Sequence, residues 1–164
     1  MSRRVIYSVA SSLDGFIARP EPAIDWGEFL DRFDTVLMGR RTYEVVAYEE
    51  EEELVAGKRT IVFSRTLDPS AAPGVEVLDD DPGQTVGRLK TEEGRDIWLM
   101  GGGVLFRELL DAEMVDAVEV AVVPKLLGEG IPLLAARSGD VNLRLRHREE
   151  YPSGIVLLRY DVQS

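Results

Sequence analysis

The run Ile97-Trp98-Leu99-Met100 ends in three consecutive glycines and resumes as Val104-Leu105-Phe106, and this join constrains the fold more than any other part of the chain. Four apolar residues in a row leave no polar face. Asp96–Met100 therefore reads as a strand buried on both sides, as in a parallel sheet covered by helices. Beyond the glycines, Leu105, Phe106, Leu109 and Leu110 form a helical stripe, with Arg107, Glu108 and Asp111 turned to water. Gly101, Gly102 and Gly103 remove every Cβ at the turn, so a pyrophosphate could lie against backbone N–H groups at the helix start. The spacing is not the G-x-G-x-x-G dinucleotide fingerprint, which would need glycine where Phe106 stands.

The same plan occurs twice more. Val36-Leu37-Met38 ends in Gly39, after which Arg40, Arg41 and Thr42 open a short helix over Arg41–Ala47. A helix start offers free N–H groups and positive partial charge, and arginines there add charge-assisted hydrogen bonds to phosphate oxygens. Ile61-Val62-Phe63 is followed by Ser64 and Arg65, a hydroxyl and a guanidinium suited to a ribose phosphate. In α/β sheets ligands collect outside the carboxyl ends of strands, so these three turns are natural walls of one site.

The remaining pattern fits such a sheet. Arg4–Ala10 reads as a buried strand and Ser11–Asp25 as a loop marked by Gly15, Pro20 and Pro22. Trp26, Phe29, Leu30 and Phe33 fall at i, i+3, i+4 and i+7 of an amphipathic helix, with Asp25 and Glu28 placed as a capping box. Thr35–Met38, Arg59–Phe63, Val75–Leu78 and Val115–Val123 are further strands. Asp81-Pro82 begins a helix toward Lys90 in the cap-then-proline manner, and the glutamates Glu49–Glu53 read as a solvated loop or helix end. Leu143, Leu145 and His147 alternate with Arg144, Arg146 and Arg148, which predicts a half-exposed strand with His147 on its apolar face. Tyr151–Gly154 turns the chain into a partner strand, Ile155–Val162. The expectation is an α/β fold with a mixed, mostly parallel central sheet, flanking helices and a C-terminal antiparallel hairpin. No internal repeat or linker divides 1–164, which reads as a single domain.

Lysine and arginine number 19 against 30 aspartates and glutamates, a net charge of −11. Such a chain is repelled by phosphate backbones and anionic membranes, so nucleic acid is an unexpected partner even for the Arg144/Arg146/Arg148 stripe. There is no cysteine and one histidine, which excludes thiol nucleophiles, disulfides and thiolate or multi-histidine metal sites. No apolar run approaches the roughly 18 residues that span a bilayer; a small-molecule substrate and a cytoplasmic location are expected. Acid–base candidates are Asp25 and Asp14. Asp25 serves either as a helix cap or as a carboxylate beside the Trp26/Phe29 face, where partial burial would let it hold a proton. Asp14, in Ser12-Leu13-Asp14-Gly15, is either a turn residue or a site carboxylate.

In this order, the joins at 36–44, 61–65 and 97–105 resemble those of the dihydrofolate reductase-like superfamily. Ser12-Leu13-Asp14-Gly15-Phe16-Ile17-Ala18 and Pro124-Lys125-Leu126-Leu127-Gly128-Glu129-Gly130 are similar to its riboflavin-pathway reductase branch, the C-terminal domain of the bifunctional deaminase-reductase. The resemblance implies a dihydrofolate reductase-like three-layer fold and an NADPH-dependent oxidoreductase acting on a small heterocyclic or imine-like substrate; a nucleotide binder without turnover is the alternative. It implies that Gly39, Arg40, Arg41 and Thr42 hold the 2′-phosphate and pyrophosphate with Ser64 and Arg65, and that Gly101, Gly102, Gly103 and Val104 line the pyrophosphate and nicotinamide. It aligns Asp25 with the pterin-binding carboxylate and Asp14 with that of the riboflavin branch, and it implies a homodimer. The chain departs from that branch at Met100, where a glutamate is usual, and in having Gly-Arg-x-Thr at 39–42.

Overall fold

The computed structural model describes residues 3–18, 26–48 and 55–163. The expectations for Asp25 and for the Glu49–Glu53 run lie outside the described residues. Eight strands form one sheet: β1 (Val5–Ser12), β2 (Phe33–Gly39), β3 (Arg59–Phe63), β4 (Glu76–Leu78), β5 (Asp96–Gly101), β6 (Ala117–Val123), β7 (Leu143–Glu150) and β8 (Val156–Val162). Their order is β4-β3-β2-β5-β1-β6-β8-β7. From β4 to β6 every pairing is parallel, while β8 runs antiparallel to both β6 and β7. The fold is thus α/β with a mixed, mostly parallel sheet and an antiparallel C-terminal hairpin.

Helices α1 (Trp26–Asp31) and α2 (Arg40–Tyr48) serve one face of the sheet, and α3 (Pro82–Leu89) and α4 (Gly103–Asp111) the other. Alternation along each strand builds both cores. Tyr7, Leu37, Ile97 and Leu99 meet Val86, Leu89, Phe106 and Leu109 on the α3/α4 side. Ile6, Val36, Met38 and Trp98 meet Phe29, Leu30 and Tyr43 on the α1/α2 side. β5 is buried on both faces, as its unbroken apolar run requires. It lies between β1 and β2, two strands that precede it in sequence. Asp81 caps α3 by accepting from the Gln84 N–H at 3.1 Å, with Pro82 at the first helical position.

Two expectations are corrected. Phe33 does not continue α1, which ends at Asp31; it is the first residue of β2 and fully buried. Phe29 and Phe33 still meet, edge-on at 5.3 Å, and the Phe29 ring also meets Trp98 at 4.9 Å. The second concerns β7, which is exposed along its whole length, with Leu143 and Leu145 at 41% and 50%. Its register shifts between Leu145, opposite Tyr160, and His147, opposite Arg159. One extra residue in a strand moves all later side chains to the other face. His147 therefore leaves the face of Leu143 and Leu145 and joins the row of Arg159 and Glu119.

Candidate functional site: the crevice between strands β2 and β5

Neighbouring strands β2 and β5 send their following helices to opposite faces, which opens a crevice beyond their carboxyl ends. The sequence places its glycines here. β2 and β5 are in register from Thr35 to Leu37, but Met38 pairs with Gly101, so Met100 is an extra residue at the mouth. Gly39 ends β2 and Thr42 stands in the first turn of α2. A Cβ on Gly101 would stand 3.6 Å from the Thr42 hydroxyl and 3.9 Å from the Tyr7 ring. One on Gly102 would stand 3.7 Å from the same hydroxyl, and one on Gly39 would stand 4.0 Å from the Gly102 nitrogen. Four of the expected residues, Gly39, Thr42, Gly101 and Gly102, thus share one cradle in which three lack a Cβ and the Thr42 hydroxyl and Tyr7 ring edge stand close by. The Gly101–Gly102 peptide is cis.

The third wall joins through Arg40. Its Nε donates to Glu44 at 2.7 Å and its Nη1 to the Thr66 hydroxyl at 2.5 Å, linking the start of α2 to the loop after β3. In that loop the Ser64 hydroxyl accepts from the backbone N–H groups of Thr66 and Leu67, at 3.2 and 3.0 Å. Arg65 is 90% exposed and lies 3.6 Å from Asp79. Arg41 is exposed and has no ion-pair partner among the described residues. Val104, at the start of α4, is 55% exposed. The turns after β2 and β3 therefore carry three arginines; Arg65 has only the 3.6 Å approach to Asp79, and Arg41 has no ion pair among the described residues.

Two expected residues have other employment. Gly103 is crossed by the backbone of 132–135: an added Cβ would meet the Ala135 nitrogen at 3.0 Å and the Pro132 oxygen at 3.1 Å. Its glycine identity is accounted for by this strap, which is also joined to it by the Ala135 N–H to Gly103 carbonyl bond. Asp14 accepts from the Ser12 hydroxyl at 2.6 Å and from the Leu127 and Gly128 amides at 3.1 and 2.8 Å. These donors hold its carboxyl at about 2. It clips the 125–128 loop to the end of β1 as an anion at neutral pH.

Tyr7 and Leu133 escaped the sequence reading. The Tyr7 hydroxyl donates to the Leu133 carbonyl at 2.8 Å and its ring stacks on Phe106 at 3.7 Å, so the strap over α4 is tied to the middle of β1. Burial pushes the Tyr7 phenol well up from its ordinary range. A tyrosine within an apolar strand, Val5-Ile6-Tyr7, was the available signal, since a buried hydroxyl needs an acceptor. Among the described residues no group of three or more histidines, aspartates and glutamates is placed to hold a metal, and no helix is long and apolar enough to cross a membrane.

Similarity to known proteins follows the same lines. The chain is 31% identical over 178 residues to the uncharacterized protein YyaP of Bacillus subtilis (strain 168), covering 96% of this chain and 94% of that protein. A solved protein of Shewanella sp. PV-4 that carries a riboflavin biosynthesis name superposes with a TM-score of 0.82 at 23% identity, over 100% of both chains. A pyrimidine reductase-like protein of Corynebacterium diphtheriae gives a TM-score of 0.76 at 16% identity, covering 99% of this chain and 92% of that one. At those identities the two structures speak for the fold, which is dihydrofolate reductase-like. The family model described as the RibD C-terminal domain matches residues 3–157, and the chain belongs to that family.

Proposed function

We propose that this protein is an NADPH-dependent reductase that transfers hydride to a C=N or similar conjugated bond of a small heterocyclic substrate, of pterin, folate or riboflavin-precursor type. The observation that carries the reading is the convergence of Gly39, Thr42, Gly101 and Gly102 at the carboxyl ends of two adjacent strands. The cradle suits a pyrophosphate because any Cβ would partly fill it. Thr42 offers a hydroxyl, and the start of α2 offers unpaired N–H groups. Arg40, Arg41 and Arg65, with Ser64, suit a ribose 2′-phosphate, and Arg40 is already oriented by Glu44 and Thr66. Val104 presents an apolar surface to a planar ring. When bound, NADPH supplies the hydride; the chain supplies position and exclusion of water.

Asp14 is a poor proton donor, because its carboxyl is held at about 2 and its oxygens are engaged. It fits a positioning role for the loop that follows β6. Asp25 remains the candidate for orienting substrate or relaying a proton. The tied-up state of Asp14 favours one second reading, a nucleotide-binding protein of the same fold without turnover. A homodimer belongs to the proposal as well.

The test is NADPH binding by calorimetry, followed by NADPH oxidation across folates, pterins and riboflavin intermediates. Binding with oxidation of one of these supports the reductase, binding with none supports the second reading, and no binding at millimolar cofactor defeats both. Arg40→Ala and Arg41→Ala should each weaken NADPH by tenfold or more, the equivalent of a charge-assisted hydrogen bond of about 1.5–3 kcal/mol, and leave NADH unchanged.

A further inference from the structure

Away from the crevice, beside the amino end of β1, the sheet face formed by β6, β8 and β7 holds a polar cavity of about 270 Å³. Ala117 and Glu119 of β6 lie in its wall, and it shares no residue with the crevice. Glu119 is buried, yet both its oxygens are taken by Arg32, which donates to them at 2.9 and 2.7 Å. Asp161 is equally committed: Arg4 reaches one oxygen at 2.8 Å and Arg146 the other at 3.1 Å. Arg159, opposite Glu119 in the ladder, is held more loosely. It stands 3.8 Å from Glu119, and its Nε is shielded from water without a hydrogen-bond acceptor among the described residues.

Among the described residues the lining carries four arginines against two carboxylates, 4 − 2 = +2, in a chain whose net charge is −11. His147 joins the rim because the irregularity in β7 turns it to this face. Guanidinium forks in surplus over carboxylates match a tetrahedral oxyanion. The acidity of the whole chain argues against a polyanion, and the cavity falls below the volume of ordinary ligand pockets, about 300–1,000 Å³.

We propose that this basin is a second binding site, separate from the crevice, for a small multivalent oxyanion of the phosphate or phosphate-monoester class, held by Arg146 and Arg159. The proposal does not depend on the reductase reading. Calorimetric titration of the full chain with inorganic phosphate at constant ionic strength tests it, in an Arg40→Ala background that disables the α2 start. One saturable site is expected, weakened at least tenfold by Arg146→Gln, whose parent side chain is 59% exposed on an edge strand. Arg159→Met should do the same, and Arg146→Gln decides alone if Arg159→Met does not fold. No phosphate binding in the Arg40→Ala protein overturns the proposal, as does an isotherm that Arg146→Gln leaves unchanged. So does a dimer, by light scattering, that Arg146→Gln dissociates, for the basin would then face a second copy.

Discussion

At the scale of single residues, the three glycines after β5 carry different constraints although they are adjacent. Gly101 has φ +134°, a conformation that side chains rarely adopt, and Gly102 has an ordinary extended backbone. Gly101→Ala should cost about 1–3 kcal/mol from backbone strain. Gly102→Ala should leave the melting temperature near that of the parent, since its Cβ makes an ordinary contact with Thr42, yet it should weaken nucleotide binding by filling the cradle. Thermal melts beside cofactor titrations separate the two effects, and a Gly102→Ala protein with unchanged affinity would remove the cradle from the site. Asp14 gives a prediction in pH. Its carboxyl is lowered from 3.8 to about 2. A depressed group contributes its stabilisation above its unfolded value and loses it as pH falls through the folded one. The clip on the 125–128 loop should therefore persist through pH 4 and open near pH 2, read by NMR from the Leu127 and Gly128 amide shifts. A midpoint near 4 would mean the carboxylate is not engaged as described.

Among elements, the contact between the end of α1 and β6 is electrostatic where most others are apolar. Glu119 sits mid-strand at 5% exposure, and Arg32 also lies 5.2 Å over the Phe33 ring. Removing one partner of a buried pair strands the other charge, so Arg32→Met should destabilise by about 3 kcal/mol, a fall in melting temperature of roughly 6–12 °C for a chain of this length. Adding Glu119→Leu should restore most of the loss. A single variant that melts with the parent would show that Arg159 alone suffices for Glu119. These elements also mark what the sequence could reveal. Unbroken apolar runs and glycine joins announced β2, β3 and β5 and the walls of the crevice, because burial on both faces and absence of Cβ are local properties. The end of α1 was hidden, since Phe33 serves the same core whether it closes a helix or opens a strand. The face of His147 was hidden too, because the irregularity after Leu145 leaves the alternation of residue types untouched. Nor could spacing reveal that Asp14 is consumed by amides more than a hundred residues away.

On the scale of the whole molecule, charge is distributed rather than uniform. The excess of acid coexists with arginines gathered at the turns after β2 and β3 and in the basin on β6, β8 and β7. The fully exposed edge strand β7, with Arg144, Arg146, Arg148, Glu149 and Glu150, carries the charges that discourage edge-to-edge pairing. The other edge, β4, is three residues long, which limits pairing by brevity.

The position of β5 bears on how the molecule is made. Because β5 enters between β1 and β2, those strands have no contact through the ladder until residues 96–101 arrive. A chain emerging from a ribosome would carry the β4-β3-β2 ladder and an unpaired β1, both with open apolar edges, until more than half its length had been synthesised. In refolding of the full chain, pulse-labelled hydrogen exchange should show amides of β1, β2 and β5 gaining protection together; early protection of β1 with β2 alone would refute this order. The cradle lies at the seam that this late strand closes. The proposed nucleotide would therefore reward only the finished sheet, and saturating ligand should slow unfolding without hastening the assembly that precedes it.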